Sequence, residues 1–193
     1  MHLSVDGLRA KVEEFRSSGL TTQQIADELS LSQTTVQWLS ASDFEVDDKP
    51  SDVKVGWRSI AVKGDRIEAI AYVMSDIIEE MIGEEVDTIV GVSINGIAFA
   101  QSVSSMMDLE LSVVRSISED VSGHLSQVYA DVEGKRVVII DDVYSTGTTM
   151  KKTSADLDAA GADVKLCMVL VNKSWDDDVD GVPLRALVRA ATV

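Results

Sequence analysis

The sequence has one cysteine, two prolines and no apolar run that could span a bilayer. A lone cysteine cannot form an internal disulfide, and no group of Cys and His has the spacing of a zinc site. Cys167 lies in the apolar stretch VKLCMVLV, so we predict a buried structural thiol. We expect no metal site made by protein ligands alone. The amphipathic N-terminal stretch lacks the apolar core of a signal peptide, which favours a cytoplasmic protein with no membrane partner.

Basic residues are also scarce, because 17 Lys and Arg stand against 33 Asp and Glu and leave a formal net charge of −16. A surface of this charge repels nucleic acid at long range. Two interpretations stay open. Either the protein binds no nucleic acid, or it works in a cytosol of high salt, where charges are screened within a few ångströms.

Residues 1–42 are predicted to form three helices. Apolar residues recur at helical spacing in VDGLRAKVEEF, in TTQQIADELSL and in SQTTVQWLSA. Thr21 or Thr22 is the expected N-cap of the second helix, and Ser32 that of the third. Ala26 is small at the point where two helices of such a unit cross closely.

This order of short helices is typical of a helix-turn-helix DNA-binding domain. Gln and Thr side chains can read base edges in the major groove of double-stranded DNA. The predicted DNA-binding residues of the last helix are Ser32, Gln33, Thr34, Thr35, Gln37 and Trp38. The unit has only three basic residues, so we expect modest DNA binding that a homodimer strengthens. The alternative is a small helical bundle that serves dimerisation.

The rest of the chain has a different pattern. Residues 43–56 are acidic, contain Pro50 and are predicted to be a linker. In residues 57–193, helical stretches such as GDRIEAIAYVMSDIIEEM alternate with Val- and Ile-rich strands such as VDTIVGVS and KRVVIIDDV. Strands that are apolar on both faces indicate an α/β fold, with a parallel sheet that helices flank on both sides.

Two turns of this sheet are candidates for a ligand site, because ligands bind beyond the carboxyl ends of parallel strands. The first turn, Ser93 to Gly96, also fits an ordinary strand-to-helix turn. The second follows Asp141 and Asp142, and its amides in residues 145–149 can point at one anion. Two adjacent carboxylates at a buried strand end repel each other unless something uses them. Ribose hydroxyls, or a magnesium ion with its waters, would do so.

The stretch VVIIDDVYSTGTTM resembles the phosphoribosyl pyrophosphate (PRPP) motif of type I phosphoribosyltransferases, and residues 57–193 are most similar to orotate phosphoribosyltransferases. The resemblance implies a PRPP-binding domain in which Asp141 and Asp142 hold the ribose hydroxyls and Mg²⁺ accompanies PRPP. The implied contacts to the 5′-phosphate are Ser145, Thr146, Gly147, Thr148 and Thr149. The implied pyrophosphate loop is Ser93, Ile94, Asn95 and Gly96, with Arg115 nearby.

One segment departs from the enzyme pattern. Orotate phosphoribosyltransferases carry a mobile basic loop with a catalytic lysine between these strands. Here residues 116–134 contain four acids and no Lys or Arg. The departure of pyrophosphate builds negative charge that nearby cations must stabilise. His124 is the segment's one candidate acid, and we interpret it as an incidental surface histidine. We therefore predict no catalytic residue.

The whole chain resembles an archaeal group of transcription regulators of the glucose and fructose catabolism regulator (GfcR) type. The resemblance implies a cytoplasmic, dimeric, DNA-binding regulator that senses PRPP or a related phosphorylated metabolite. Two hypotheses stand beside it. One is an active phosphoribosyltransferase of nucleotide synthesis or salvage, and the other is a scaffold that binds no DNA.

Overall fold

The computed structural model describes residues 4–41, 52–115 and 124–190. The helices are α1 Val5–Ser17, α2 Thr22–Leu29, α3 Gln33–Ser40, α4 Arg58–Ala61, α5 Gly64–Ile82, α6 Ser93–Met107 and α7 Thr148–Ala159. The strands are β1 Thr88–Val92, β2 Glu110–Arg115, β3 His124–Leu125, β4 Arg136–Tyr144, β5 Asp163–Asn172, β6 Asp178–Val179 and β7 Val182–Arg189.

The first three helices pack on one another, and their ends follow the predicted caps. The Thr21 hydroxyl accepts a hydrogen bond from the backbone N–H of Gln24, whose side chain accepts one from the N–H of Thr21. The Ser32 hydroxyl likewise accepts from the backbone N–H of Thr35 at 3.1 Å. The core of this unit is made of Val12, Ile25, Ala26, Leu29, Leu31, Val36 and Leu39. The predicted helices and their caps are confirmed.

The turn between α2 and α3 contains a residue in the left-handed region. Ser30 ends α2 with φ 50° and ψ 45°, a conformation that a side chain with a Cβ adopts at a cost of about 1 kcal/mol. The turn is therefore slightly strained.

Seven strands form one sheet in the order β3-β2-β1-β4-β5-β7-β6. The five inner strands are parallel, and the two-residue strands β3 and β6 pair antiparallel at the edges. The predicted parallel sheet is confirmed. The sequence analysis did not predict β3, β6 or the single turn α4, because elements this short carry no periodic pattern.

The side chains of β4 alternate between two hydrophobic clusters. Val138 and Ile140 pack into the cluster with α5 and α6, whereas Val137 and Ile139 pack into the cluster with α7. Helices thus cover both faces of the sheet, as predicted. Among the helices described, none combines the length and the apolar character that a bilayer crossing requires.

The predicted linker is only partly described. Residues 42–51 lie outside the described residues, and residues 52–57 run without helix or strand toward α4. Their side chains contact both the three-helix unit and the sheet, as set out below. The boundaries of the predicted domains stay a prediction.

Candidate functional site

Strands β1 and β4 end side by side and bring the two predicted ligand turns together. The parallel register pairs Gly91 with Ile140, so Ser93 and Asp141 follow at the same edge of the sheet. The Ser93 hydroxyl donates a hydrogen bond to Asp141 Oδ1 at 3.0 Å. We call Ser93–Gly96, Asp141, Asp142 and Ser145–Thr149 the cradle.

The two carboxylates of the cradle are almost fully buried, with exposed fractions of 6% for Asp141 and 7% for Asp142. Asp141 Oδ1 also accepts from the backbone N–H of Asp142 at 2.8 Å. Asp142 Oδ2 accepts from Trp57 Nε1 at 2.9 Å and from Asn95 Nδ2 at 3.1 Å. Burial raises the pKa of both carboxyls, and the charge of Asp142 raises that of Asp141 further. Each group thus keeps a proton more readily than an exposed aspartate.

The loop after β4 is shaped by Gly147. This residue has φ +77°, and a Cβ there would collide with the side-chain hydroxyl of Tyr144. The Tyr144 hydroxyl in turn donates to Asp176 Oδ2 at 2.9 Å. Gly147 is the N-cap of α7, and no side chain in the described residues caps that helix. The positive end of α7 is therefore directed toward the cradle with its first amides available to an anion.

The loop after β1 is held against β4 by Gly96. A Cβ at this position would lie 2.5 Å from the carbonyl oxygen of Ile140 and 2.9 Å from Asp141 Cα. Ser93 has φ 57°, a strained value for a residue other than glycine. Ile94 is 78% exposed. The loop therefore keeps its backbone close to the carboxylates and presents an apolar side chain to solvent.

The structure brings most of the predicted ligand residues to one place and adds one that was missed. Trp57 lies outside the motif, yet it contacts Asp142 and packs on Phe99 with ring centroids 5.3 Å apart. Its position before a one-turn helix gave no signal in the sequence. Arg115 ends β2 at the same edge of the sheet, and its side chain lies outside the described part of the chain.

A second wall faces the cradle and was not predicted. It consists of residues from α2, the α2–α3 turn and the start of α3, and we call it the roof. The residues of the roof that line the shared cavity are Gln23, Ala26, Asp27, Ser30, Leu31, Ser32 and Gln33. Opposite them lie residues 141–150, and the cavity between the two walls measures about 60 Å³.

A buried ion pair attaches the roof to the sheet. Lys173 Nζ, at the end of β5, lies 2.6 Å from Asp52 Oδ1, and the two side chains are 2% and 6% exposed. Asp52 Oδ2 accepts from the backbone N–H of Ser32 at 2.9 Å and from the Thr35 hydroxyl at 2.8 Å. Burial acts to raise the pKa of Asp52, but the hydrogen bonds from Lys173, Ser32 and Thr35 hold it below its usual value. Asp52 is therefore ionised and fully engaged.

Two lysines also hold the carbonyl groups of the turn. Lys173 Nζ donates to the Ser30 carbonyl at 3.2 Å, and Lys54 Nζ donates to the Leu29 carbonyl at 2.9 Å. Positive charge at the C-terminal end of α2 suits the helix dipole. These contacts join segments that are distant in the sequence, so no local motif could have revealed them.

The carboxyl group of Asp27 in the roof is strongly perturbed. Burial raises its pKa to about 6, and the charges of Asp142 and Glu28 raise it as well. The side-chain amide of Gln23 donates to Asp27 Oδ1 at 2.9 Å and acts in the opposite direction. The roof thus places a third carboxyl group above the two of the cradle.

The predicted DNA-binding residues are divided between solvent and the interior. Thr34 and Gln37 are exposed, and Trp38 is half-buried against the three-helix core. Gln33 is half-buried and donates to the side-chain oxygen of Gln23. Ser32 and Thr35 are buried, and Asp52 accepts hydrogen bonds from the backbone N–H of Ser32 and from the Thr35 hydroxyl. The prediction that Ser32 and Thr35 contact DNA does not hold in this arrangement, because both residues are buried and Asp52 engages the start of α3.

The carboxylates of the cradle do not form a complete magnesium site by themselves. Within residues 4–41, 52–115 and 124–190, no group of three or more His, Cys, Asp or Glu is arranged to hold a metal ion. Asp141 and Asp142 already accept hydrogen bonds from the protein. Mg²⁺ keeps several waters and is commonly held by one or two carboxylates together with ligand phosphates. The residues therefore fit a magnesium ion that arrives with a phosphorylated ligand.

Comparison with known proteins places the chain among others of this fold. A model of the phosphoribosyl transferase domain matches residues 56–187. The orotate phosphoribosyltransferase of Aeropyrum pernix superposes with a TM-score of 0.57 at 21% identity, over 75% of this chain and 83% of that one. The adenine phosphoribosyltransferase of Thermoanaerobacter pseudethanolicus superposes with a TM-score of 0.60 at 18% identity, over 73% and 90%. At these identities the likeness concerns the fold.

Relatives at higher identity match along the whole chain. The transcriptional regulator GfcR of Thermoplasma acidophilum is 44% identical over 193 residues, and the match covers 98% of both chains. The protein of the same name from Picrophilus torridus is 39% identical, over 98% of this chain and 99% of that one. The match includes the three-helix unit as well as the sheet.

Proposed function

Since the chain belongs to the GfcR family of transcriptional regulators and carries a phosphoribosyl transferase domain, we propose that it binds DNA through its first three helices and senses PRPP or a related phosphorylated metabolite in the cradle. The observation that carries the proposal is the cradle itself. Two buried carboxylates and an uncapped helix N-terminus converge there beside a loop rich in hydroxyl groups.

The chemistry of the cradle suits a sugar phosphate. The amides and hydroxyls of residues 145–149 are donors for a 5′-phosphate, and the start of α7 adds its partial positive charge. Asp141 and Asp142 are acceptors for ribose hydroxyls. Residues 93–96 would contact the pyrophosphate, with Arg115 on the same edge of the sheet, and Mg²⁺ would enter with the ligand.

The alternative, an active phosphoribosyltransferase, is not favoured. Residues 116–134 contain no Lys or Arg, so no cation of that segment can stabilise departing pyrophosphate. With orotate and PRPP we expect no orotidine monophosphate. Turnover at an ordinary enzyme rate of about 1 per second or more would favour the alternative instead.

For DNA, we propose that the exposed side chains Thr34 and Gln37 of α3 meet the base edges. A homodimer would present two such helices, so we expect an operator with two half-sites related by a two-fold axis. This role requires a cytoplasmic protein, which is the location expected from the sequence. We propose the dimer as part of the function, because one unit with three basic residues binds DNA weakly.

The ligand site is tested by calorimetry with PRPP and Mg²⁺. We expect Asp141→Asn with Asp142→Asn to abolish binding, because the acceptors for the ribose hydroxyls are lost. The control is Asp76→Asn with Glu80→Gln, which removes the same charge from the exposed face of α5. Equal affinity of the Asp141/Asp142 variant and the parent protein would show that the cradle is not the site.

The DNA-binding face is tested by fluorescence anisotropy with a duplex selected from a random pool. Gln37→Ala should weaken specific binding by about 1–3 kcal/mol and leave random duplexes unaffected. Gln101→Ala, on the exposed face of α6, is the control. Specific binding that survives alanine at both Thr34 and Gln37 would rule out the proposed face.

A further inference from the structure

The roof and the phosphate-binding loop of the cradle line the same small cavity. Its volume is about 60 Å³, whereas pockets for organic ligands measure about 300–1,000 Å³. Residues 145–149 all face this space, with Gln23, Asp27 and Gln33 on the other side. A phosphorylated sugar therefore does not fit between the cradle and the docked roof.

The charge of the cavity also opposes a phosphate. Asp27 of the roof and Asp141 and Asp142 of the cradle line it, and none of the described lining residues is Lys, Arg or His. A phosphate bound by residues 145–149 would lie beside the Asp27 carboxyl in a site of low dielectric, where like charges repel strongly. Withdrawal of the roof removes that carboxyl and opens the loop to solvent.

The roof is attached mainly by polar contacts, and this suits a surface that separates. The hydrophobic cluster of the first three helices shares no residue with the two clusters of the sheet. Among the described residues, the attachments of the three-helix unit include the Lys173–Asp52 pair, two hydrogen bonds from lysines to turn carbonyls, and a long contact of 3.5 Å from Asn95 to the Asp27 carbonyl. Interfaces between domains that move are commonly of this polar kind.

In the docked state, residues at the start of the recognition helix α3 also make contacts within the protein. In helix-turn-helix proteins the N-terminal residues of that helix contact the base edges. Here Gln33 is bonded to Gln23, and Ser32 and Thr35 are bonded to Asp52. The start of α3 is therefore held by contacts within the protein, while Thr34 and Gln37 stay exposed.

We propose that the docked roof and a phosphorylated ligand exclude each other from the cradle, so that ligand binding releases the helix-turn-helix unit and raises its affinity for DNA. This regulation rests on the proposed function of the cradle as a ligand site. It fixes the sign of the coupling, because the released state is the one that binds both ligand and DNA. By linkage, DNA raises the affinity for the ligand by the same factor.

The variant that tests this is Asp52→Asn with Lys173→Met. Because both members of the buried pair change together, neither charge is left alone in the interior, and the docked state is weakened without an unpaired ion. The matched control is Lys151→Met with Asp180→Asn. It removes an exposed pair 3.6 Å apart and has the same effect on net charge.

The position of the roof is measured directly by electron paramagnetic resonance between spin labels. Glu14→Cys on α1 and Ala159→Cys on α7 are exposed labelling sites, and the native Cys167 is fully buried. Distances are recorded in the full chain without ligand, with inorganic phosphate, and with PRPP and Mg²⁺. We expect one docked distance without ligand and a longer, broader distribution with saturating PRPP.

The Asp52/Lys173 variant should show the longer distribution without any ligand. It should also bind PRPP and specific DNA at least about tenfold more tightly than the parent protein, because the fraction of competent molecules rises. The Lys151/Asp180 control should match the parent in all three measurements.

The outcomes separate this proposal from the proposed function. If calorimetry detects PRPP binding while the spin-label distance stays docked, the ligand enters beneath the roof and mutual exclusion is wrong. An Asp52/Lys173 variant that adopts the released distance without tighter DNA binding also overturns the proposal. If neither the parent nor the released variant binds PRPP or phosphate, the proposed function of the cradle fails, whatever the roof does.

Discussion

The cradle and the roof line one cavity but are built in different ways. The cradle comes from two short stretches at the ends of adjacent strands, and the sheet register and Gly96 hold it in place. The roof comes from the three-helix unit, and residues far away in the chain, Asp52 and Lys173, hold it there. A wall held by a sheet is rigid, whereas a wall held by a few polar contacts can leave. This is the difference that we expect between a ligand site and a movable cover.

The largest expected effect comes from Lys173→Met alone. It leaves Asp52 buried without its cation, which costs about 3–5 kcal/mol. The Ser32 amide donates to Asp52, so its hydrogen exchange reports docking, and we expect exchange to become at least about a hundredfold faster. The Val138 amide in the sheet should keep its protection. Lys151→Met, which breaks an exposed pair, should change neither amide appreciably. Equal loss of protection in the sheet would show that roof and cradle are not separable.

The rigidity of the cradle is tested by Gly96→Ala. The new Cβ meets backbone atoms of Ile140 and Asp141, which cannot rotate away, so we expect a loss of about 1–3 kcal/mol in urea denaturation. Gly64→Ala is the control, since nothing lies within 4 Å of a Cβ there. A neutral result at Gly96 would mean that the loop is as adaptable as the roof.

Docking should weaken as pH rises from about 4 to about 6. Asp27 has a pKa of about 6 when docked, and we expect its ordinary value of 3.8 once the roof leaves, so the docked state binds its proton more tightly. The proton on Asp27 therefore stabilises the docked state most strongly below about pH 4, and this stabilisation is lost as the pH rises through about 6. The docking equilibrium should be about tenfold weaker at pH 7 than at pH 5.

Other titratable groups also lie near Asp27. Asp141 and Asp142 face it from β4, and the charge of Asp27 adds to the rise in the pKa of Asp141, which acts in the same direction. Asp52 acts in the opposite direction, but its lowered pKa confines its effect to pH below about 4. Spin-label distances at pH 5 and pH 7 measure the change, and Asp27→Asn should reduce it markedly. A pH dependence that Asp27→Asn leaves intact would assign the effect to the cradle carboxyls.

The smallest effect is expected at Ser30. Glycine relieves the left-handed strain of the α2–α3 turn but gives the unfolded chain more freedom, so Ser30→Gly should stabilise by about 0.5 kcal/mol. Ser105→Gly, within α6 and exposed, should destabilise by a similar amount. The two midpoints of urea denaturation should therefore move in opposite directions.

The sequence predicted what local patterns encode. The apolar runs of β1, β4 and β5 predicted a parallel sheet, and the hydroxyl-rich turn after Asp142 predicted the anion-facing loop. Trp57 was missed because a single aromatic residue before a one-turn helix forms no pattern. The roof was missed because its attachments span large separations, such as that between Ser30 and Lys173. Ser32 and Thr35 were predicted to contact DNA because nothing in the helical spacing shows that Asp52 engages them.

The Lys173–Asp52 pair has a consequence for engineering. Fusion of a foreign DNA-binding domain to a ligand-binding domain is commonly treated as an exchange of independent modules. Here the member of the pair on the sheet is Lys173, whose side chain is 2% exposed, so a graft that omits the partner at position 52 would bury a solitary cation. A chimaera of this protein must carry over the acidic partner or replace Lys173 at the same time. The three-helix unit and the sheet can be recombined with other domains only if positions 52 and 173 are changed together.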